Sequence, residues 1–310
     1  MSEAPERYRQ FQERGGVADF SSRLKLRVTG ADRVRFLNGQ FTANVTRLRA
    51  GHALPACLTT AKGRLCGKAV LHLAGESVLI DAEAALRESL AARLEKYIIA
   101  DDVAVEDVTD GLRLIHLLGD VAPGADLIAA SVCVDRVHRF ARDGWDLVLM
   151  PEAFATVWPA LTTSAVELDP ELQEIIRIEA GVPRWGFELD ENTLPPEAGL
   201  DRTHIDYHKG CYVGQEVISR LKSVGHVNRE LTGFISHGGP IARLAKLFAP
   251  GDDEHPIGTI TSTAFSFALE RHVALGYLKR GAGFPEVIAR STEPGTPETV
   301  VTPHALPLIP

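Results

Sequence analysis

Between Ala69 and Ile98 the apolar residues change period, and few folds accommodate that change. Ala69–Leu73 and Ser77–Ile80 read as two strands joined at Gly75-Glu76. Ala82, Leu86, Leu90, Leu94 and Ile98 then recur every four residues, which predicts a helix with one buried face. A strand around Val103 and Val105 follows. The alternating segment Leu24–Val28 and a short helix after Gly30-Ala31-Asp32, with Val34, Phe36 and Leu37 inward, complete the unit. Strands and helices in this order predict an antiparallel sheet covered on one face by helices.

A second unit of the same kind begins near Leu112. Strands are expected at 112–118, 132–140 and 145–149, the last two joined by Arg142-Asp143-Gly144, with a helix from Pro151 to about Leu161. Another helix over about 170–180 carries its own punctuation: Asp169 as N-cap, Pro170 at the first position and Gly181 beyond the end. From about Leu231 short apolar runs alternate with Gly, Pro, Ser and Thr, which predicts a small β-barrel. The expected class is α+β, with two related layered domains at 1–110 and 111–230 and a barrel domain at 231–310.

The chain has 310 residues, 33 Lys+Arg and 41 Asp+Glu, for a formal charge of −8. That balance argues against direct nucleic-acid or anionic-membrane binding. No apolar run reaches the ~20 residues that span a bilayer, and the charged start MSEAPERYRQFQERGG lacks a signal-peptide core. A soluble, cytoplasmic monomer is expected. Cys57, Cys66, Cys133 and Cys211 lie far apart and form no recognisable ligand spacing or secreted disulfide framework. Walker A and G-x-G-x-x-G loops are absent, and no Ser/His/Asp or Cys/His arrangement can be assigned from sequence order.

Two places carry candidate chemistry. Leu172, Ile175 and Ile176 define the buried face of the 170–180 helix, and the next residue on that face is Glu179. A carboxylate there needs donors or a cation. Spacing leaves open whether it holds the N–H groups of a ligand, pairs with an arginine, or has reached solvent. The run Lys209-Gly210-Cys211-Tyr212-Val213-Gly214-Gln215-Glu216 predicts a tight loop before a helix starting near Gln215. Cys211 beside Lys209 is either a reactive thiol with an electrostatic partner or a structural cysteine in a glycine-rich turn. Residues 202–229 hold Arg202, Lys209, Arg220, Lys222 and Arg229 against Asp206 and Glu216. Such a segment suits a compact anion or is a solvated basic face.

KGCYVGQE at 209–216 resembles the signature of the YgfZ-type folate-binding proteins, relatives of the glycine-cleavage T-protein (aminomethyltransferase). The similarity extends through LRVTGADRVRFLNGQFTANV at 26–45, TTAKGRL at 59–65 and RIEAGVPRWGFELDENTLPPEAGL at 177–200, and so covers essentially the whole chain. It implies three domains in a ring around a folate channel, with tetrahydrofolate or another reduced folate as cofactor. It implies that Glu179 grips the pterin through two parallel N–H bonds, and that the basic cluster, Arg220 included, suits the glutamate tail. It makes Cys211 and Lys209 the functional centre, with Tyr212, Gly214, Gln215 and Glu216 completing the motif. One departure stands out. T-proteins carry an acidic pair after a glycine-rich turn, and TTAKGRLCGKAVLHL sets Cys66 and Gly67 there, which cannot replace a proton-handling carboxylate. The resemblance therefore implies an accessory protein that supports iron–sulfur enzymes, including tRNA-thiolating ones, with iron–sulfur client enzymes as partners. The rival readings are a one-carbon transferase of the T-protein class and a scaffold that has lost its ligand.

Overall fold

The computed structural model describes residues 3–309. Three layers of strands account for most of the core. The first sheet runs in the order Leu54–Thr59, Leu65–Ala74, Ser77–Ala82, Leu24–Thr29, Ala104–Asp107, with every pairing antiparallel. The second runs Val166–Glu167, Gly16–Asp19, Arg113–Leu118, Asp143–Leu149, Ser131–His138, Gly51–His52. Arg229–Ser236, Arg271–Lys279, Gly258–Ser266, Lys246–Phe248, Val287–Arg290 and Thr299–His304 close into a six-stranded barrel. The expected class, two α/β layers and a C-terminal barrel, is the observed one. No helix of the described residues is long and apolar enough to cross a membrane.

Local signals translate directly into elements. The helix Pro170–Glu179 starts where Asp169 accepts from the Leu172 N–H and stops before Gly181 at φ +69°. The strands Leu65–Ala74 and Ser77–Ala82 turn at Gly75, φ +59°. The four-residue period behaves differently from expectation. Ala82 ends a strand, Ala84–Leu86 is a 3-10 turn, and the helix covers only Arg87–Glu95. Leu86, Leu90 and Leu94 still fall on one buried face against the first sheet.

The boundary expected at residue 110 does not separate the sheets. The helix Ala4–Arg14 and the strand Gly16–Asp19 belong to the second layer, and Gly51–His52 adds to its far edge. The segment 200–216, placed by sequence in the second unit, docks on the first: the Asp206 N–H donates to Thr42 O, and the Thr42 hydroxyl to His204 O at 2.6 Å. The layers are thus interlocked by exchanged segments.

A seam of buried charge joins the two sheets. Asp81 of the first sheet accepts from Arg23 and from Arg139, each at 2.7 Å. Arg139 also chelates both oxygens of Asp146 in the second sheet, the shortest contact being 2.6 Å. Burial pushes the Asp81 and Asp146 carboxyls up, but the guanidiniums outweigh it and hold both below the usual range. Such carboxylates stabilise the native state above the ordinary Asp pKa of about 3.9 and lose that contribution as pH falls toward their depressed values. Arg139→Leu, which strands two buried anions, is expected to cost about 3–5 kcal/mol at pH 7. In urea titrations the gap to wild type should narrow below pH 4.

Candidate functional site

The loop before the helix Gln215–Ser223 is pinned at both ends. Lys209 is buried, and its Nζ donates to the carbonyls of Asn38, Phe41 and Ala43 at 2.5, 2.7 and 2.8 Å. Asn38 lies in the helix Arg33–Gln40 and the other two just beyond it, so the ammonium closes that helix's C-terminal end, where a cation suits the dipole. Burial lowers the Lys209 pKa to about 8, which leaves it a cation at neutral pH. Its charge is committed to backbone carbonyls and not to Cys211, contrary to the electrostatic partnership expected from sequence. At the other end Gly214 takes φ +90°, and a Cβ there would lie 2.4 Å from Thr60 O and 2.7 Å from Thr59 Oγ1. The Thr59 hydroxyl donates to Val213 O at 2.5 Å, and the Val213 N–H to Gly39 O. Only glycine allows the loop to sit this close to the turn 60–63.

Between the pins the side chains diverge. Tyr212 turns inward, 7% exposed, with the Lys209 ammonium 5.2 Å from its ring centre and its hydroxyl buried without a partner among the described residues. Cys211 turns out as an exposed free thiol. Gln215 is half-buried at the helix start; Glu216 and Arg220 are exposed along it. The basic segment disperses: Lys209 is internal, Arg229 pairs with Glu197 at 3.1 Å, and Lys222 sits 3.5 Å above the Tyr207 ring. Arg202 and Arg220 remain as exposed cations facing solvent.

Glu179 is 4% exposed at the end of its helix. The Tyr8 hydroxyl donates to Oε2 at 2.7 Å and the Ser266 hydroxyl to Oε1 at 2.6 Å. Glu179 also lines a shallow cleft with Phe11, Phe140, Arg142 and Ile176. Burial raises its pKa, with the two hydroxyls opposing. Neither donor is foreseen by the sequence reading, because each comes from a distant element, the N-terminal helix and the barrel. Nearby Arg177, on the same helix, meets Glu188 at 2.9 Å and the Ser262 hydroxyl at 2.7 Å, fastening helix to barrel.

A bulge decides what the 65–68 stretch presents. Leu58 pairs with Gly67 and Thr59 with Leu65, so Cys66 is the extra residue. A Cβ on Gly67 would meet Leu86 and Leu90, and Cys66 packs into the same apolar cluster beneath that helix. Lys68 takes the opposite face, across from Cys57, and donates to Pro183 O at 2.6 Å. Its pKa is lowered to about 8 by burial and by Arg23 and Arg177, with Glu83 opposing. Burial and Lys68 lower that of His204 to about 3, keeping the imidazole neutral. The stretch thus sets a half-buried cation next to the cysteine and glycine that stand in place of the expected acidic pair.

Two outcomes follow from this geometry. Lys209→Met leaves three buried carbonyls without their cation and should cost about 2–4 kcal/mol in chemical unfolding. For Glu179 the raised folded pKa means that protonation favours the native state below it, and this gain is lost as pH rises through it. Between pH 7 and 5 the wild type should therefore gain thermal stability relative to Glu179→Gln, as read by melting temperature at the two pH values.

Known proteins resemble this chain in sequence and in fold. The GCVT N-terminal domain family matches residues 3–137. An aminomethyltransferase of Rubrobacter xylanophilus is 28% identical over 286 residues, covering 86% of this chain and 76% of that protein. A mitochondrial iron–sulfur cluster assembly factor IBA57 homolog of Chaetomium globosum is 28% identical over 246 residues, covering 70% of this chain and 55% of that protein. The crystal structure of the glycine cleavage system aminomethyltransferase T from Bartonella henselae superposes with a TM-score of 0.80 at 20% identity, over 95% of this chain and 86% of that one. Residues 3–137 thus resemble the GCVT N-terminal domain, and the chain has the fold of that aminomethyltransferase T structure.

Proposed function

We propose that the protein is a tetrahydrofolate-binding accessory factor for iron–sulfur cluster assembly or repair, serving iron–sulfur enzymes that include tRNA-modifying ones. The observation that carries this reading is the form of the 209–216 loop. Its backbone is fixed by a buried lysine and a glycine no other residue can replace, yet it presents one thiol, Cys211, to solvent. A rigid mount for an exposed cysteine serves chemistry between proteins better than packing. Glu179 supplies the carboxylate for a pterin, exchanging its hydroxyl donors for ligand N–H groups. An assembly factor among the similar proteins supports the same direction.

The transferase reading rests on the several similar proteins named aminomethyltransferase. Against it stands the 65–68 stretch, which offers Cys66, Gly67 and the half-buried Lys68 and no carboxylate. The carboxylate beside it, Glu83, is tied to Arg23 at 2.9 Å and held below the usual range: burial raises it, and Arg23 and Lys68 more than offset this. An ion-paired carboxylate is a poor proton acceptor at pH 7.

Calorimetric titration with tetrahydrofolate should give saturable 1:1 binding, and an aminomethyl-transfer assay should give no turnover above background. Absence of binding would remove both readings; sustained turnover would favour the transferase. Cys211→Ala, a surface change worth under about 0.5 kcal/mol or roughly twofold in affinity, should keep folate binding but fail to complement a strain deficient in iron–sulfur enzyme maturation. Full complementation would leave Cys211 without a functional role.

A further inference from the structure

The seam between the sheets contains a group of side chains that neither folate nor the 209–216 loop uses. His72 on Leu65–Ala74 and Cys133 and Asp135 on Ser131–His138 bring one ligand atom each to within 4.8 Å of one another. Asp135 is fully buried and His72 only 1% exposed. His72 Nδ1 is 2.9 Å from Asp135 Oδ2, but Asp135 Oδ1 and His72 Nε2 have no hydrogen-bond partner among the described residues. Two orphaned polar atoms on adjacent buried residues are costly.

Charge counting points the same way. Asp81, Glu83, Asp135 and Asp146 face the seam against Arg23, Arg139 and Lys68, and the three cations are taken up by Asp81, Glu83 and Asp146. Asp135 is left with His72 alone, and no ion pair with lysine or arginine reaches it among the described residues. A buried anion of that kind calls for a cation.

We propose that His72, Cys133 and Asp135 bind a divalent transition-metal ion of the zinc class. The mixed nitrogen, sulfur and oxygen set suits zinc. Tetrahedral zinc, with bonds of about 2.0–2.3 Å, needs ligands about 3.5 Å apart, a contraction that side-chain torsions supply. The ion replaces the proton shared by His72 Nδ1 and Asp135. The imidazole proton moves to Nε2, which faces Asp146 Oδ2 at 3.6 Å. Asp146 is itself fixed by Arg139 and by His116 Nδ1 at 2.9 Å, so it acts as the outer carboxylate that orients a ligating histidine. The Cys133 thiol loses its proton to solvent, one per ion bound, and its partial exposure gives the ion a way in.

The proposal is tested by titrating Co(II) into the chelator-treated full chain and following the thiolate-to-cobalt charge-transfer band and the visible d–d bands. One equivalent should bind, zinc should displace it, and the band should survive Cys211→Ala but vanish in Cys133→Ser. His72→Gln and Asp135→Asn should each weaken Co(II) binding at least tenfold, with folding checked by circular dichroism. If either fails to fold, Cys133→Ser still decides. Absence of Co(II) binding by the folded wild type, or a band unchanged in Cys133→Ser, would overturn the proposal.

Discussion

Everything else in the molecule rests on the charged seam between the first and second sheets. Two β-layers facing each other normally adhere through apolar contact. Here Arg139 spans the gap by gripping Asp146 on one sheet and Asp81 on the other, while Arg23 holds Asp81 from the connection between the layers. Taking such charges out of water is expensive, and replacing a buried network by apolar residues can even stabilise a protein. Its value lies in direction. Guanidinium forks accept one geometry, so the relative register of the sheets is specified where a greasy contact would let them slide.

That register governs where the 209–216 loop can sit. Its mount consists of carbonyls at 38–43 and the glycine turn at 60–63, both on the first layer, yet the chain reaches it only after building the second. Lys209 shows how a residue in a motif can serve the motif structurally. Its ammonium organises the end of a helix about 170 residues away in sequence, which leaves the neighbouring cysteine as the group presented to the outside.

What can be read from the chain alone divides along the same line. The helix 170–179, the 69–81 hairpin and the closing barrel were legible because caps, turns and periodicity act within a few residues. The partition of domains was not, because strand 16–19 pairs with 113–118 and strand 51–52 with 131–138, and nothing local announces either pairing. The N-terminal helix hid for another reason: only Ala4, Tyr8 and Phe11 of it are buried, among charged neighbours that resemble a solvated tail. Glu179 stood out as a misplaced carboxylate, but its partners Tyr8 and Ser266 were invisible, since they lie 171 and 87 positions away in sequence. The bulge at Cys66 defeated simple alternation, and one extra residue exchanged which side chain faces inward.

The surroundings of Glu179 are gathered from distant parts of the chain. The backbone N–H groups of Leu308 and Ile309 donate to the Glu179 carbonyl, while Tyr8, near the other end of the chain, grips its carboxylate. The N-terminal helix and the barrel each supply one hydroxyl to the carboxylate, and the segment 308–309 closes the backbone behind it. A change that loosens any one of these three segments is therefore felt at Glu179, although none of them belongs to its own helix.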